Sequence, residues 1–449
     1  GTDRLPDGAR VIIDNTAGAR LLVQSDEAIG GIESPAAPNE GPNGVVEVSN
    51  AATLTFGGNG ASTRYGGIFV TDSTSSVVKA GIGKTTLTSA SANAAGATTN
   101  FAGTFNVTGG ILQVDGRLGD VDGTIGAGMT VGLGAPGTGT LAGTGDGTTT
   151  GRVDMNVLVA SGGTLSPGHN DVGGEQVGLL RIGGNLGFNA GSTAVFDLGT
   201  PNTVGGAAND LVIVDGGLSI GGGTLAISNG AGGAVQTGYY TLFDVAGTTT
   251  GAFTAVTNNG LAATTDVDQI VTGGGGAPSE FNILLQNGTQ LAQFWDGGDV
   301  AADGNVDGGS GTWNSTTTNW TTNDGAINDQ WRDDVAIFTG APGNVTVGAV
   351  SFEGMQFVTS GYVLSGGTLT ATGDSALDPT ASFVNVDTSV TATISSTIAG
   401  AGIGITKGGA GTLVLSGTNT YSGLTRVNAG TLELQNGQAI TDGAVAGDG

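Results

Sequence analysis

Cysteine is absent from this 449-residue chain, and proline (10 residues) and the basic residues (12) are scarce. The lack of cysteine excludes a disulfide framework. The few prolines and the lack of a Gly-X-Y period exclude a collagen. With 38 acidic residues the net charge is −26, so the surface repels phosphate backbones and anionic membranes, and nucleic-acid binding is not expected.

Charged residues are also few, at 11% of the chain, against about 25% in an average soluble domain. The charged surfaces of helices are therefore missing, and few helices are expected. Glycine contributes 89 residues, and 38% of the residues are hydrophobic. A disordered chain cannot keep so much apolar surface in water, so this composition indicates many short strands joined by glycine turns.

No apolar run is long enough to span a membrane, and no secretion signal opens the chain. Any signal or membrane anchor is therefore expected to lie outside these residues.

A short unit recurs along the chain, in which a small turn residue is followed by alternating apolar positions. It occurs at Gly109–Val114, Gly222–Ile227, Gly366–Leu369, Ala410–Leu415 and Ala429–Leu434. Alternation of this kind is typical of a strand that buries one face. Because each strand is too short to bury a core alone, the repetition predicts that the strands stack on one another as a solenoid.

A longer internal match joins two distant parts of the chain. Lys79–Gly83 aligns with Lys407–Gly411, and the match resumes at Gly110 and Gly430. The first copy is longer between its two halves, as a loop insertion would make it. One architecture is therefore expected from end to end.

These motifs resemble those of autotransporter passengers. The stretch Lys407–Gly423, followed by Gly430-Thr431-Leu432, looks like the autotransporter-associated β-strand repeat. Thr164–Gly168 with Asn209-Asp210-Leu211 is similar to another passenger module, and Phe294–Leu369 to a third. The resemblance implies a right-handed parallel β-helix with loop insertions, exported to the outer cell surface of a Gram-negative bacterium.

Composition divides the chain into three parts. Residues 1–275 are predicted to form a solenoid with irregular loops, notably at Pro35–Gly44. Residues 276–345 form an insert rich in Trp and Asp, which follows the linker Gly273–Gly276, and residues 346–449 return to the solenoid.

The insert carries a candidate calcium site. Asp303, Asn305 and Asp307, followed by Gly308, match the first half of an EF-hand-type loop, which supplies oxygen ligands at alternate positions. The twelfth position is Asn314 instead of the usual bidentate Glu, and Asp296 and Asp299 are close enough in sequence to compensate. A solvated acidic turn is the alternative interpretation.

All four tryptophans, Trp295, Trp313, Trp320 and Trp331, also lie in the insert. Two interpretations stay open. The rings can form a small aromatic core that caps or braces the solenoid, or some of them can be exposed and stack on sugars.

Catalysis is not expected. Gly217–Gly221 matches the serine nucleophile elbow, but the elbow needs a histidine base and the sole histidine, His169, lies in a Ser-Pro-Gly turn. Polysaccharide-cleaving β-helices need a cluster of carboxylates and usually a Lys or Arg beside it. No recognisable Asp–Arg cluster contains Arg4, Arg10, Arg20 or Arg181 in the sequence.

We therefore predict a non-catalytic, extracellular β-solenoid that acts in adhesion, self-association or as a surface filament. Its expected partners are copies of itself, or glycans or proteins of a host or neighbouring cell. It would contact a membrane only through an anchor outside this chain. No cofactor other than calcium is expected, and the alternative function is a polysaccharide-binding or polysaccharide-cleaving β-helix.

Overall fold

A computed structural model describes most of the chain. The described residues are 4–14, 16, 18–35, 44–89, 101–119, 128–132, 138–171, 174–200, 204–230, 235, 238–259, 266–272, 279–286, 291–375 and 378–436. They contain strands and turns, and no described residue is in an α-helix. The chain divides into a first unit, residues 1–271 and 275–285, and a second unit, residues 272–274 and 286–449.

Apart from the last residue of each of its two final strands, the first unit contains strands β1–β31. Their bounds are β1 Arg10–Ile12, β2 Arg20–Val23, β3 Glu27–Ile29, β4 Gly31–Glu33, β5 Val45–Val48, β6 Thr53–Phe56, β7 Thr63–Tyr65, β8 Ile68–Thr71, β9 Ser76–Lys79, β10 Lys84–Leu87, β11 Thr104–Val107, β12 Ile111–Val114, β13 Arg117–Gly119, β14 Met129–Val131, β15 Thr140–Gly143, β16 Arg152–Asp154, β17 Val157–Val159, β18 Thr164–Pro167, β19 His169–Asp171, β20 Gly174–Gln176, β21 Leu179–Ile182, β22 Leu186–Phe188, β23 Thr193–Leu198, β24 Leu211–Val214, β25 Leu218–Ile220, β26 Thr224–Asn229, β27 Gly238–Val245, β28 Thr249–Gly251, β29 Ala255–Asn259, β30 Asp266–Thr272 and β31 Ser279–Gln286.

The second unit contains the remaining strands. Their bounds are β32 Ala292–Trp295, β33 Gly311–Trp313, β34 Trp320–Thr321, β35 Asn328–Asp329, β36 Val335–Phe338, β37 Asn344–Phe352, β38 Gly354–Phe357, β39 Val363–Ala371, β40 Ala381–Val386, β41 Thr391–Ile394, β42 Thr397–Ala399, β43 Gly404–Gly408, β44 Thr412–Leu415, β45 Thr425–Val427 and β46 Thr431–Leu434.

Parallel stacking organises the first unit. Its three largest sheets have nine strands (β28-β25-β22-β17-β14-β11-β9-β6-β3), eight (β29-β26-β23-β18-β15-β12-β10-β7) and seven (β13-β16-β21-β24-β27-β31-β30). Strands that follow one another in a sheet come from successive turns of the chain, so each coil hydrogen-bonds to the coils before and after it.

The register places like positions on top of one another. In the nine-stranded sheet one buried row runs through Ile29, Phe56, Lys79, Val107, Val131, Val159, Phe188 and Ile220. Because successive side chains of a strand point to opposite faces, every second residue enters such a row. The rows make one continuous core for the unit.

Antiparallel pairs occur at particular places in each unit. In the first unit β27 pairs with β24 in parallel but with β31 in antiparallel fashion. In the second unit β34 pairs in antiparallel fashion with both β32 and β35. Each of these changes of direction ends the run of parallel strands in its sheet.

The second unit has a core of its own. Its two sheets run β35-β34-β32-β36-β38-β40-β43-β45 and β33-β37-β39-β41-β44-β46, with β42 also paired to β39. The four tryptophans and the apolar residues of the later strands belong to one buried cluster.

The predictions of an all-β fold and of stacked parallel strands are confirmed. The right-handed sense of the coil stays a prediction, and so does the three-part domain division. Its linker, Gly273–Gly276, and most of the predicted loop Pro35–Gly44 lie outside the described residues. Among the described residues no helix is long and apolar enough to cross a membrane.

Phe188 offers a test of the stacked core. Its ring lies 5.9 Å from that of Phe243 and 5.2 Å from that of Phe253. We expect Phe188→Ala to lower the free energy of unfolding of the first unit by about 3–5 kcal/mol, because it removes a packed ring and leaves a cavity. Hydrogen exchange of the β22 amides measures this, with the outward-facing Thr130→Ala as control. A loss as small as that of the control would contradict the core assignment.

Candidate functional site

A groove runs along the outer face of the nine-stranded sheet in the first unit. It has a volume of about 460 Å³. Its floor is a row of outward-facing residues from five successive coils: Thr130, Leu158, Gly187, Ser219 and Thr250. Its rim is formed by the turn residues that precede the same strands: Gly128, Asn156, Asn185, Gly217 and Thr248. The volume is in the range of small-ligand pockets.

Gly187 creates the depression in the floor. It has no side chain, and an added Cβ would lie 3.3 Å from Cδ1 of Leu158. Leu158 itself is 39% exposed, so an apolar side chain is presented beside the gap. None of the lining residues is charged, although the chain carries a net charge of −26. The groove therefore suits a ligand that is uncharged where it makes contact.

Two asparagines on the rim are held in place by the backbone. The Oδ1 of Asn156 accepts a hydrogen bond from the backbone N–H of Asn185 at 2.8 Å, and the Oδ1 of Asn185 accepts one from Gly217 at 2.8 Å. Each amide is thus fixed through its oxygen, and its NH₂ group is the part left to donate to a ligand. Both side chains are exposed. The register, which brings every coil to the same corner, places these amides in line.

The motif residue Ser219 lies on the floor of this groove. It is the middle residue of β25, and its side chain is exposed. A nucleophile elbow needs a sharp turn from a strand into a helix, and β25 is a plain strand in a sheet. The G-x-S-x-G match is therefore a consequence of strand alternation between glycine turns.

An Asp–Arg cluster exists where the sequence indicated none. Arg117, Arg152 and Arg181 occupy stacked positions of β13, β16 and β21. Asp154 lies 2.5 Å from both Arg117 and Arg152, and Asp215 lies 3.2 Å from Arg152 and 2.6 Å from Arg181. The expectation that Arg181 belongs to no such cluster is wrong, because the register joins residues that are far apart in sequence. The two carboxylates lie between the stacked guanidinium groups and offset the repulsion between their like charges. The network therefore stabilises the stack.

The acidic loop of the second unit brings part of the predicted calcium site together. Carboxylate oxygens of Asp299, Asp303 and Asp307 all lie within 4.8 Å of one another. Asn305 bonds to Asp303, with its backbone N–H at 2.9 Å and its side-chain nitrogen at 3.2 Å from the carboxylate. Oxygen ligands suit calcium, so the geometry agrees with the predicted ligand type.

Asp296 has a different role from that expected of a calcium ligand. It is buried, and its two carboxylate oxygens accept hydrogen bonds from the backbone N–H of Asp307 at 2.8 Å and from the side chain of Asn328 at 2.9 Å. Burial raises the pKa of this carboxyl above its usual range. Asp296 therefore positions the acidic loop from inside, and calcium binding by Asp303, Asn305 and Asp307 stays a prediction.

The four tryptophans lie together inside the second unit. Trp295, Trp313 and Trp320 have no exposed surface, and Trp331 is 4% exposed. The ring centroids of Trp320 and Trp331 are 4.4 Å apart, and those of Trp313 and Trp320 are 5.0 Å apart. This packing is what the interpretation of the four rings as an aromatic core requires. Stacking on a sugar needs an exposed ring face, which none of the four presents among the described residues.

A second acidic group lies near the start of β36. One carboxylate oxygen of Asp334 accepts a hydrogen bond from the backbone N–H of Leu291. Burial raises the pKa of Asp334 to about 7, and the negative charges of Glu353 and Asp374 add to the rise. Asp334 therefore changes its charge near neutral pH.

Calcium binding can be tested by titration calorimetry. We expect wild-type protein to bind Ca²⁺, and Asp303→Asn or Asp307→Asn to weaken binding about tenfold or more, because each removes a charged oxygen ligand. Asp324→Asn is the matched control, since Asp324 is an exposed acid of the same segment outside the group. Absence of a binding heat, or equal affinity in all four proteins, would show that the loop is a solvated turn.

The raised pKa of Asp334 predicts how the stability of the second unit depends on pH. Its folded pKa is raised above the value of about 3.9 in an unfolded chain, so the folded state holds the extra proton between about pH 4 and 7. Stability is then lost as the pH rises through this window.

Asp334→Asn keeps an acceptor for Leu291 and removes the charge. We expect the variant to be more stable than wild type above pH 7, with a difference that shrinks toward pH 4. Thermal unfolding followed by tryptophan fluorescence measures this, because all four tryptophans are in the second unit. A difference that does not change with pH would contradict the assignment.

Comparison with known proteins gives two matches. Residues 405–434, which contain β43–β46 except the first residue of β43, match the family model of the passenger-associated-transport-repeat. Over 324 residues, 67% of this chain, the sequence is 33% identical to the adhesin BmaC autotransporter of Brucella suis biovar 1 (strain 1330). The aligned stretch is 9% of the length of that protein. Together with the stacked parallel strands, these matches identify the chain as an extracellular, cell-surface passenger region of a Gram-negative autotransporter, one that carries the passenger-associated repeat.

Proposed function

We propose that this passenger region is a non-catalytic adhesive segment that binds a surface ligand in the groove of the first unit. The observation that carries the proposal is the uncharged groove, built from five coils on the outward face of an otherwise strongly acidic chain. The similarity to an autotransporter named as an adhesin supports the same function.

The chemistry of the groove favours a neutral, hydroxyl-rich ligand such as an uncharged glycan. Asn156 and Asn185 offer NH₂ donors along one rim, and Ser219 and Thr250 offer hydroxyl groups on the floor. Leu158 supplies apolar contact between them. The row repeats from coil to coil at about 4.8 Å, so an extended chain with repeated units can contact several coils at once.

Filling the groove tests this proposal. Gly187→Leu places a side chain in the depression at an outward strand position, where the atom nearest its Cβ is Cδ1 of the exposed Leu158 side chain, at 3.3 Å. We expect it to weaken binding of the purified protein to its positive ligands on a glycan and surface-protein array by about tenfold or more.

Asn106→Leu is the matched control. Asn106 lies in the same outward row, in the coil before Thr130, and does not line the groove. It should bind as wild type does. Equal binding by wild type and both variants would overturn the groove as the adhesive site. If the wild-type protein binds only proteins on the array, the ligand of the groove is a protein and not a glycan.

Self-association is a second proposed function, supported by the way the coils pair. Strands of successive coils add to one another in parallel, and an exposed strand edge can pair in the same way with another molecule. Negative-stain electron microscopy of the purified protein is expected to show assemblies whose size grows with protein concentration. Separate particles at all concentrations would contradict self-association.

A further inference from the structure

Two lysines are buried inside the solenoid, one in each unit. Neither Lys79 nor Lys407 has any exposed surface. Each occupies an inward strand position and is stacked between two apolar residues. Lys79 lies between Phe56 and Val107, and Lys407 lies between Val384 and Val427. An unpaired ammonium in such a row would be strongly destabilising, so each must be satisfied by specific partners.

Backbone carbonyls are those partners, and they lie at equivalent positions in the two units. The Nζ of Lys79 donates to the carbonyls of Ala80 at 2.7 Å, Gly81 at 3.4 Å and Gly109 at 3.0 Å. The three donors of the ammonium group are thus all used. Two acceptors belong to the turn that follows its own strand, and the third belongs to the same turn one coil later.

The second unit repeats this arrangement. The Nζ of Lys407 donates to the carbonyls of Gly408 at 2.6 Å, Gly409 at 2.7 Å and Ala429 at 3.0 Å. In the internal alignment these positions correspond to Ala80, Gly81 and Gly109 in that order. The backbone agrees as well, since Thr108 donates its N–H to the carbonyl of Lys79, and Asn428 to that of Lys407, both at 2.9 Å.

The glycines of the two turns have matching conformations. Gly81 and Gly409 have φ angles of 67° and 69°, and Gly110 and Gly430 have 60° and 69°. A Cβ added at Gly110 would lie 2.3 Å from the carbonyl oxygen of Gly83, and one added at Gly430 would lie 2.3 Å from that of Gly411. Both turns therefore require glycine for the same two reasons, a positive φ and a close backbone approach.

The family model matches residues 405–434, which include Lys407 and its turn. We infer that residues 77–89 and 101–114 belong to a second copy of the passenger-associated repeat, and that the buried lysine is the positioning residue of both copies, holding the glycine turns of two successive coils together. In each copy the ammonium donates to three carbonyls at this corner of two successive coils. Burial lowers the pKa of Lys79 to about 8 and lowers that of Lys407.

Replacement of each lysine by methionine is the first test. Methionine keeps the apolar stem in the row and removes the ammonium, which takes a hydrogen-bond donor away from three carbonyls. We expect Lys79→Met to speed hydrogen exchange at the Thr108 amide by about tenfold or more and Lys407→Met to do the same at Asn428. Val107→Met and Val384→Met are the controls, because they place the same side chain at the neighbouring position of each row. Exchange as slow in the lysine variants as in the controls would overturn the inference.

Chemical rescue separates the charge from the shape. Because the chain has no native cysteine, Lys407→Cys or Lys79→Cys can be alkylated selectively in the unfolded state and then refolded. An aminoethyl group restores an ammonium at nearly the length of lysine, whereas a propyl group gives the same shape without charge. We expect only the aminoethyl form to regain wild-type protection, in both units. Equal rescue by propyl would show that the lysines only fill space, and rescue in one unit alone would overturn the second repeat.

Discussion

Stacking of parallel strands in register is the constraint on which the rest of this structure depends. Each coil takes its backbone partners from the coil before and the coil after, so neither coil can shift without breaking a ladder. The same register carries every second side chain into a continuous buried row. Two consequences follow: large polar groups inside the stack need partners built from the backbone, and recognition has to occur on the outward positions or in the turns.

Two buried polar residues illustrate the first consequence. Asp210 accepts hydrogen bonds from the backbone N–H groups of Gly178 at 2.6 Å and Asp197 at 2.8 Å. Asn209 accepts one from Gly199 at 2.9 Å. Both residues belong to a motif that resembles a passenger module, and both are buried. These two residues of the motif therefore hold the backbone of neighbouring coils in place, as Lys79 and Lys407 do.

Much of the fold could be predicted from the sequence, because alternation and glycine turns are local signals. The recurring Thr-Leu strands, such as β26, β44 and β46, are found where the pattern predicts them. The groove and the Asp–Arg network could not be predicted, because both depend on which residues stack across coils of unequal length. Gly187 is an ordinary strand glycine until Leu158 and Ser219 lie on either side of it. The acidic loop could be predicted because its carboxylates are close in sequence. The role of Asp296 in positioning this loop could not, because it depends on a hydrogen bond from Asn328, which is far along the chain in β35.

A disulfide measurement tests the in-register stack most directly, since the chain has no cysteine of its own. Asn106 and Thr130 are register partners on the outward face, and Leu158 lies one coil further along the same row. Partners in adjacent coils are about 4.8 Å apart, within the range of roughly 4.4–6.8 Å that a disulfide spans between Cα atoms. The account predicts that the pair Asn106→Cys and Thr130→Cys oxidises readily in the folded protein, whereas the pair Asn106→Cys and Leu158→Cys does not. Oxidation of the distant pair, or failure of the adjacent one, would contradict the register and with it the groove.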